Sequence, residues 1–177
     1  PRTGYDTDAS LTAPVLGRLI WGDRSFGDRT ESRLVDILST GDQLSSKSHY
    51  ARILSQTVTK IINVASLQDS FLTGINGAMA SLTLQNIDNW RRFTKPPHYG
   101  DPYVAEIFAD GMIRDKTVVH FIDGLFLQYA GGPFPHPNFT MENQMILASL
   151  DPVALDATAR KLIDDQRLLN KLPPVRP

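Results

Sequence analysis

Asp123-Gly124 followed by Gly131-Gly132-Pro133 is the constellation in this chain with the most room for chemistry. Asp123 and Gly124 end its most strand-like segment, and ligands of open α/β sheets bind outside the carboxyl ends of strands. Adjacent glycines let backbone N–H groups come close to an anion or to a neighbouring segment. An aspartate that only ties down a tight turn explains the same residues, and a buried Asp123 holding the turn toward Gly131 and Gly132 is the expectation. A second constellation is Ser149-Leu150-Asp151-Pro152-Val153-Ala154-Leu155-Asp156. Asp151 is placed to cap a helix, with Pro152 at the first helical position. An aspartate that already serves those N–H groups repels an anionic substrate. Asp156 reads equally well as a solvated carboxylate.

The remaining polar signals are thinner. The histidines are His49, His98, His120 and His136, and none has the i, i+4 or carboxylate spacing of a helical metal site. No metal site and no catalytic residue is therefore assigned. His120 sits in a strand as a hydrogen-bonded core histidine, and His136 lies between Pro135 and Pro137 in a rigid loop. There is no Gly-x-Gly-x-x-Gly, no phosphate-loop lysine and no Gly-x-Ser-x-Gly elbow. Trp90-Arg91-Arg92-Phe93 sets cations beside aromatics, which suits a surface contact with a partner protein better than a base stack. Asn138-Phe139-Thr140 matches a glycosylation triplet, a pattern that is common by chance.

Composition narrows the function classes. The chain has 177 residues, with 18 Lys+Arg against 19 Asp+Glu, so a strongly basic nucleic-acid binder is excluded. It has no cysteine, hence no thiolate nucleophile, disulfide or Cys-held iron–sulfur cluster, and no cofactor is assigned. No apolar run reaches the ~18–20 residues of a membrane span. The chain opens on Pro1 without an initiator Met, so a processed or truncated N-terminus is expected.

The elements expected to position these groups make a layered α/β sheet with flanking helices. Residues 1–14 are expected to be irregular, 15–170 to form one α/β domain, and 171–177 to be a proline-rich tail. Within the domain, strands are expected at 15–21, 60–65 (a buried strand by composition), 117–123 and 144–149. Helices are expected at 31–38, at 48–54, after Gly77, from Asp101-Pro102, and from Asp151 to about Leu169. The last helix would turn Val153, Leu155, Ala159, Leu162 and Ile163 inward.

Several ordered motifs resemble a known family. They are Ile61-Ile62-Asn63-Val64-Ala65-Ser66-Leu67-Gln68-Asp69-Ser70, Leu72-Thr73-Gly74-Ile75-Asn76-Gly77-Ala78-Met79, Asn86-Ile87-Asp88-Asn89 and Asp101-Pro102-Tyr103-Val104-Ala105-Glu106. Ile113-Arg114-Asp115-Lys116, Ile122-Asp123-Gly124, Gly131-Gly132-Pro133 and the Asp151 to Asp156 run continue the series. Across residues 48–167 this is similar to the C-terminal portion of the prokaryotic domain of unknown function family 362, described as iron–sulfur-associated. The resemblance implies a bacterial chain whose N-terminal portion is missing. It also implies departures: Gln68, Ser70, Ala80 and Ser81 stand where members carry Lys, His, Lys and Asn. Those are the cations and polar donors a site would use. The carboxylates Asp69, Asp123 and Asp156 remain, and three carboxylates without cations invite a metal or a raised pKa.

The resulting expectation is a non-catalytic structural or accessory subunit of a larger protein assembly, with a redox or electron-transfer complex as the setting the family suggests. Other protein subunits are the expected partners, with no nucleic acid and no membrane span; peripheral attachment to a membrane complex is compatible. Contacts are expected through at least one tail, including Pro173 and Pro174, and through Trp90, Arg91, Arg92 and Phe93. The alternative is an enzyme or small-molecule binder with a pocket near Asp69, Asp123, Gly131 and Gly132, joined by Asp156. The sequence assigns no compartment.

Overall fold

The computed structural model describes residues 4–27, 34–35 and 43–176. Their secondary structure mixes two sheets with flanking helices, an α/β fold. The first sheet has strand order β1-β3-β2, from β1 (Tyr5–Arg18), β2 (Leu34–Val35) and β3 (Gln43–Ala51), all antiparallel. The second has order β5-β4-β6-β7, from β4 (Ile61–Ser70), β5 (Gly74–Ile75), β6 (Thr117–Gln128) and β7 (Thr140–Ser149). β4 and β6 are parallel, and β7 runs antiparallel to β6. The helices are α1 (Ala78–Thr83), α2 (Tyr103–Ala109), α3 (Gly111–Arg114) and α4 (Pro152–Leu169).

Two expectations fail in the first sheet. Residues 5–13, read as irregular, are most of β1, and 48–54, read as helix, are the end of β3 and the start of a π-helical turn at Ile53–Thr57. Both segments are too polar to resemble strands because the partners of their polar groups are inside the protein. Ser45, Ser46, Ser48 and His49 are all buried on β3. Arg92 donates to Ala13 O, Val15 O and Ser46 O and to Ser48 Oγ, stitching β1 to β3. Asp88 accepts from His49 N and Arg24 N, and His49 Nδ1 lies 3.1 Å from its carboxylate. The helix expected at 31–38 lies outside the described residues except at Leu34–Val35, which pair as a strand.

Around the second sheet the expectations hold better. Asp151 caps α4, accepting from Val153 N and Ala154 N at 2.9 and 3.1 Å. Leu155, Ala159 and Ile163 of α4 and Ala78 of α1 pack on Ala65, Leu67, Ile122 and Leu127 of the sheet. Val153 is the exception, exposed rather than inward. At α2 the cap is Pro102 rather than Asp101, the Asp101–Pro102 peptide is cis, and no side chain caps that helix. The segment at 60–65 forms a strand but is buried on one face only. Ile62 and Val64 are 64% and 66% exposed on β4, and Ile146 is 66% exposed on β7. Registers Ile62↔Val119, Val64↔Phe121, Ser66↔Asp123, Phe121↔Ala148 and Asp123↔Ile146 put these residues on a common outward face. The α1 and α4 helices cover only the other side.

Candidate functional site

The carboxyl end of β4 is the centre of the candidate site. There Asp69 is buried, and its Oδ1 accepts from Gly132 N at 2.9 Å. Its Oδ2 faces Arg167 Nη1 of α4 at 3.7 Å, and that guanidinium also donates to Tyr129 O and Pro173 O. Burial pushes the Asp69 carboxyl up, against the opposing pull of the Gly132 N–H, Gln128 and Arg167. Gly132 could not be any other residue here, since an added Cβ would sit 1.9 Å from Asp69 O. Asp69, not Asp123, therefore ties down the Gly131-Gly132 turn.

Asp123 does not hold the turn expected of it. It is exposed on the open face of the sheet and, among the described residues, accepts only from Leu125 N, two residues on, where the β6–β7 register slips. Asp69 lies on the covered side of the sheet and Asp123 on the open one, and neither of the two cavities described below is lined by both. Asp156 is not the solvated carboxylate that the sequence allowed. From α4 it accepts Ala78 N at 2.6 Å and Met79 N at 3.0 Å, capping α1 from a neighbouring helix. Burial raises its carboxyl, opposed by those two N–H bonds. Gly77 makes room for it, since a Cβ there would meet the carboxylate at 2.2 Å. Among the described residues no three His, Asp or Glu side chains are grouped to hold a metal.

The other sequence candidates are also spent on structure. Arg92 is 1% exposed and stacks on Phe93, which is fully buried, so neither is available to a partner; burial pulls the guanidinium down to about 10, still charged at neutral pH. Arg91 pairs with Asp23 at 3.4 Å. Burying a guanidinium demands many acceptors, and the strand carbonyls supply them. The C-terminal tail packs on this chain: Val175 joins the second core, donates its N–H to Asp164 and receives Arg160, while Arg176 stacks on Tyr99. Pro173 and Pro174 are exposed but belong to this self-packed segment. At the other end, Tyr5 onward is strand β1, so the tails give no support for a partner contact. His120 is the core histidine expected, its Nδ1 3.2 Å from Asn63 Nδ2, with burial holding its pKa down.

Two cavities flank Asp69, whose neighbours in the chain line one each. On the covered side, a space of about 330 Å³ is lined by Ser70, Leu72, Thr73, Asn76, Ala80, Leu84, Gln85, Trp90, Thr94 and Pro133. No lining side chain ionises near neutral pH, so the cavity offers hydrogen bonds and an indole but neither a proton-transfer group nor a counter-charge. On the open side, a groove of about 560 Å³ includes Ser66, Gln68, Phe126, Gln128, His136 and Glu142. Gln68 and Gln128 both donate to Phe134 O there, and Gln128 Oε1 accepts from His136 N, which fixes the 134–137 loop as its wall. Nothing in the spacing of these amides marked them as a unit; the sheet register brings them together. Compared with known proteins, the chain matches no family model, no curated protein and no solved structure.

Proposed function

We propose that this chain is a non-catalytic module that docks onto a polypeptide through the uncovered face of its second sheet. The observation that carries the proposal is that face. Ile62, Val64, Val119, Phe121, Ile146 and Ala148 form an outward apolar surface across three strands. Parallel strands such as β4 and β6 ordinarily have both faces covered, and apolar rows on both faces are what such strands carry. A contiguous exposed apolar patch of this kind marks an interaction site. Support also comes from the carboxylates: Asp69 and Asp156 are consumed in holding the fold. Ser70 and Ala80, which replace His and Lys if the resemblance to domain of unknown function family 362 holds, line the uncharged cavity. On this proposal the chain keeps that family's framework without its polar set, and a redox assembly is the setting the family suggests.

The test is the size of the native particle. Material from the source organism is expected to run well above the 19.7 kDa of the chain, and Val64→Asp or Ile146→Asp to bring it down to its own mass with an unchanged circular dichroism spectrum. A particle of unchanged size in both variants refutes docking through this face.

A second proposal is favoured by one observation, the roughly 330 Å³ uncharged cavity with Trp90 in its wall. It has the size of a small-molecule site, and with no cation or anion in its lining it suits an uncharged ligand. In a Trp21→Phe background, Trp90 is the only tryptophan. Its fluorescence is expected to quench saturably with uncharged but not anionic members of a ligand panel, and Ala80→Leu to abolish the effect. Equal response to both kinds, or to neither, refutes it.

A further inference from the structure

We infer that a small cavity between α2 and the first sheet is a binding site for a primary alkylammonium group. It is separate from the open sheet face and from the Trp90 cavity. Its volume is about 120 Å³, and four side chains in its lining carry the chemistry: Tyr50 of β3, Tyr103 and Glu106 of α2, and Asp110 at the end of that helix. Positions 103, 106, 107 and 110 are spaced i, i+3, i+4 and i+7, so one face of the helix delivers them together. Residues Leu11 to Ala13 of β1 belong to the same lining.

The polar groups here are unevenly used. Asp110 accepts from the Tyr50 hydroxyl at 2.8 Å and from Met112 N at 2.9 Å, which fixes its carboxylate in place. Burial, and then the charge of Asp110, push the Tyr50 phenol above its ordinary value, so it stays a donor to that carboxylate. Glu106 is exposed and has no hydrogen bond or ion pair among the described residues. Tyr103 is only 7% exposed, yet its hydroxyl has no partner among the described residues. A phenol buried that far ordinarily bonds to something. No cation among the described residues pairs with either carboxylate. Arg92 stacks on Phe93 in the lining, but its donors go to strand carbonyls and Ser48, and Asp88 offsets its charge.

These groups select the ligand. Two carboxylates and a phenol oxygen suit a positive head with several N–H donors. Leu11, Phe93 and Ile107 make the remaining wall apolar, which suits methylenes. A divalent cation needs oxygen ligands on most sides, and that wall supplies none. At ~30 Å³ per water-sized unit the cavity takes about four such units, an ammonium head with two or three carbons. The exposed Glu106 lies where a longer chain would pass to solvent. This is the end-group chemistry shared by free alkylamines and lysine side chains.

The test is titration of the nitrogen-15-labelled full chain with n-butylamine at pH 7, read from amide chemical shifts. Saturable shifts are expected at Leu11 to Ala13 and Tyr103 to Asp110, with dissociation in the millimolar range open to so small a ligand. Butan-1-ol, of the same length without the charge, should bind at least about tenfold more weakly. Glu106→Gln and Tyr103→Phe should each weaken butylamine about fivefold. Neither variant should move the melting temperature by more than about 1 °C, since neither lost group bonds within the described residues. No saturable shift at these residues, an equal response to butan-1-ol, or unchanged binding in Glu106→Gln overturns the inference. Two further ligands identify the source of the ammonium group. Tighter binding of butane-1,4-diamine than of butylamine assigns a free polyamine. Tighter binding of Nα-acetyl-lysine methylamide assigns a lysine side chain of a polypeptide.

Discussion

Replacing Arg92 with methionine is expected to cost this protein a large share of its stability. The side chain is 1% exposed and holds β1 to β3. Its Nη1 donates to Ala13 O at 3.2 Å, Val15 O at 2.7 Å and Ser46 O at 2.5 Å. Its Nη2 and Nε reach Ser48 Oγ at 2.9 and 3.3 Å. Methionine fills much of the volume but donates nothing, leaving three strand carbonyls and a hydroxyl without their charged donor. Bonds to charged groups are worth about 1.5–3 kcal/mol each, and some of that returns because the guanidinium no longer has to be desolvated. The net loss is about 3–5 kcal/mol, against a total stability of about 5–15 kcal/mol. In urea, monitored by circular dichroism, the midpoint should fall by roughly 2 M at a slope near 2 kcal/mol/M. Arg92→Lys keeps the charge with fewer, differently aimed donors and should fall between. A loss below about 1 kcal/mol, with partner binding abolished instead, would return Arg92 to the partner contact its sequence context suggests.

Further outcomes follow from the same contacts. Gly132→Ala puts a Cβ 1.9 Å from Asp69 O and should prevent folding or lower the melting temperature sharply, whereas Asp123→Ala, losing one local bond at an exposed site, should change stability by no more than about 0.5 kcal/mol. Asp156→Ala leaves Ala78 N and Met79 N without acceptors and should cost about 1–2 kcal/mol in a thermal melt. Burial raises the carboxyls of Asp69 and Asp156 above the ordinary 3.8, so the folded state binds their protons more tightly than the unfolded state does. Their stabilising contribution is therefore full below about pH 4 and is lost as pH rises through the folded values. Urea midpoints read from pH 3.5 upward should show that decline, and Asp69→Asn with Asp156→Asn should flatten it; an unchanged slope refutes the assignment.

Local rules carried the second sheet. The Asp151-Pro152 pair announced α4 because capping is a short-range effect between an aspartate and the next few N–H groups, and the β-branched runs at 61–65 and 117–122 announced β4 and β6. Composition also settled the missing thiol chemistry. The first sheet defeated the same rules because β3 is polar for a reason that lies far along the chain. Its serines and histidine are partners of Arg92 and Asp88, some 40 residues away. The assignment of carboxylates shows the same division. Sequence proximity favoured Asp123 as the anchor of the Gly131-Gly132 turn, yet Asp69 takes that place through a contact 63 residues apart. Which face of a strand is covered depends on where helices pack, and that is set by the whole assembly of α1 and α4 against one side. Ile62, Val64 and Ile146 look like core residues in the sequence; the packing of the layers makes them surface.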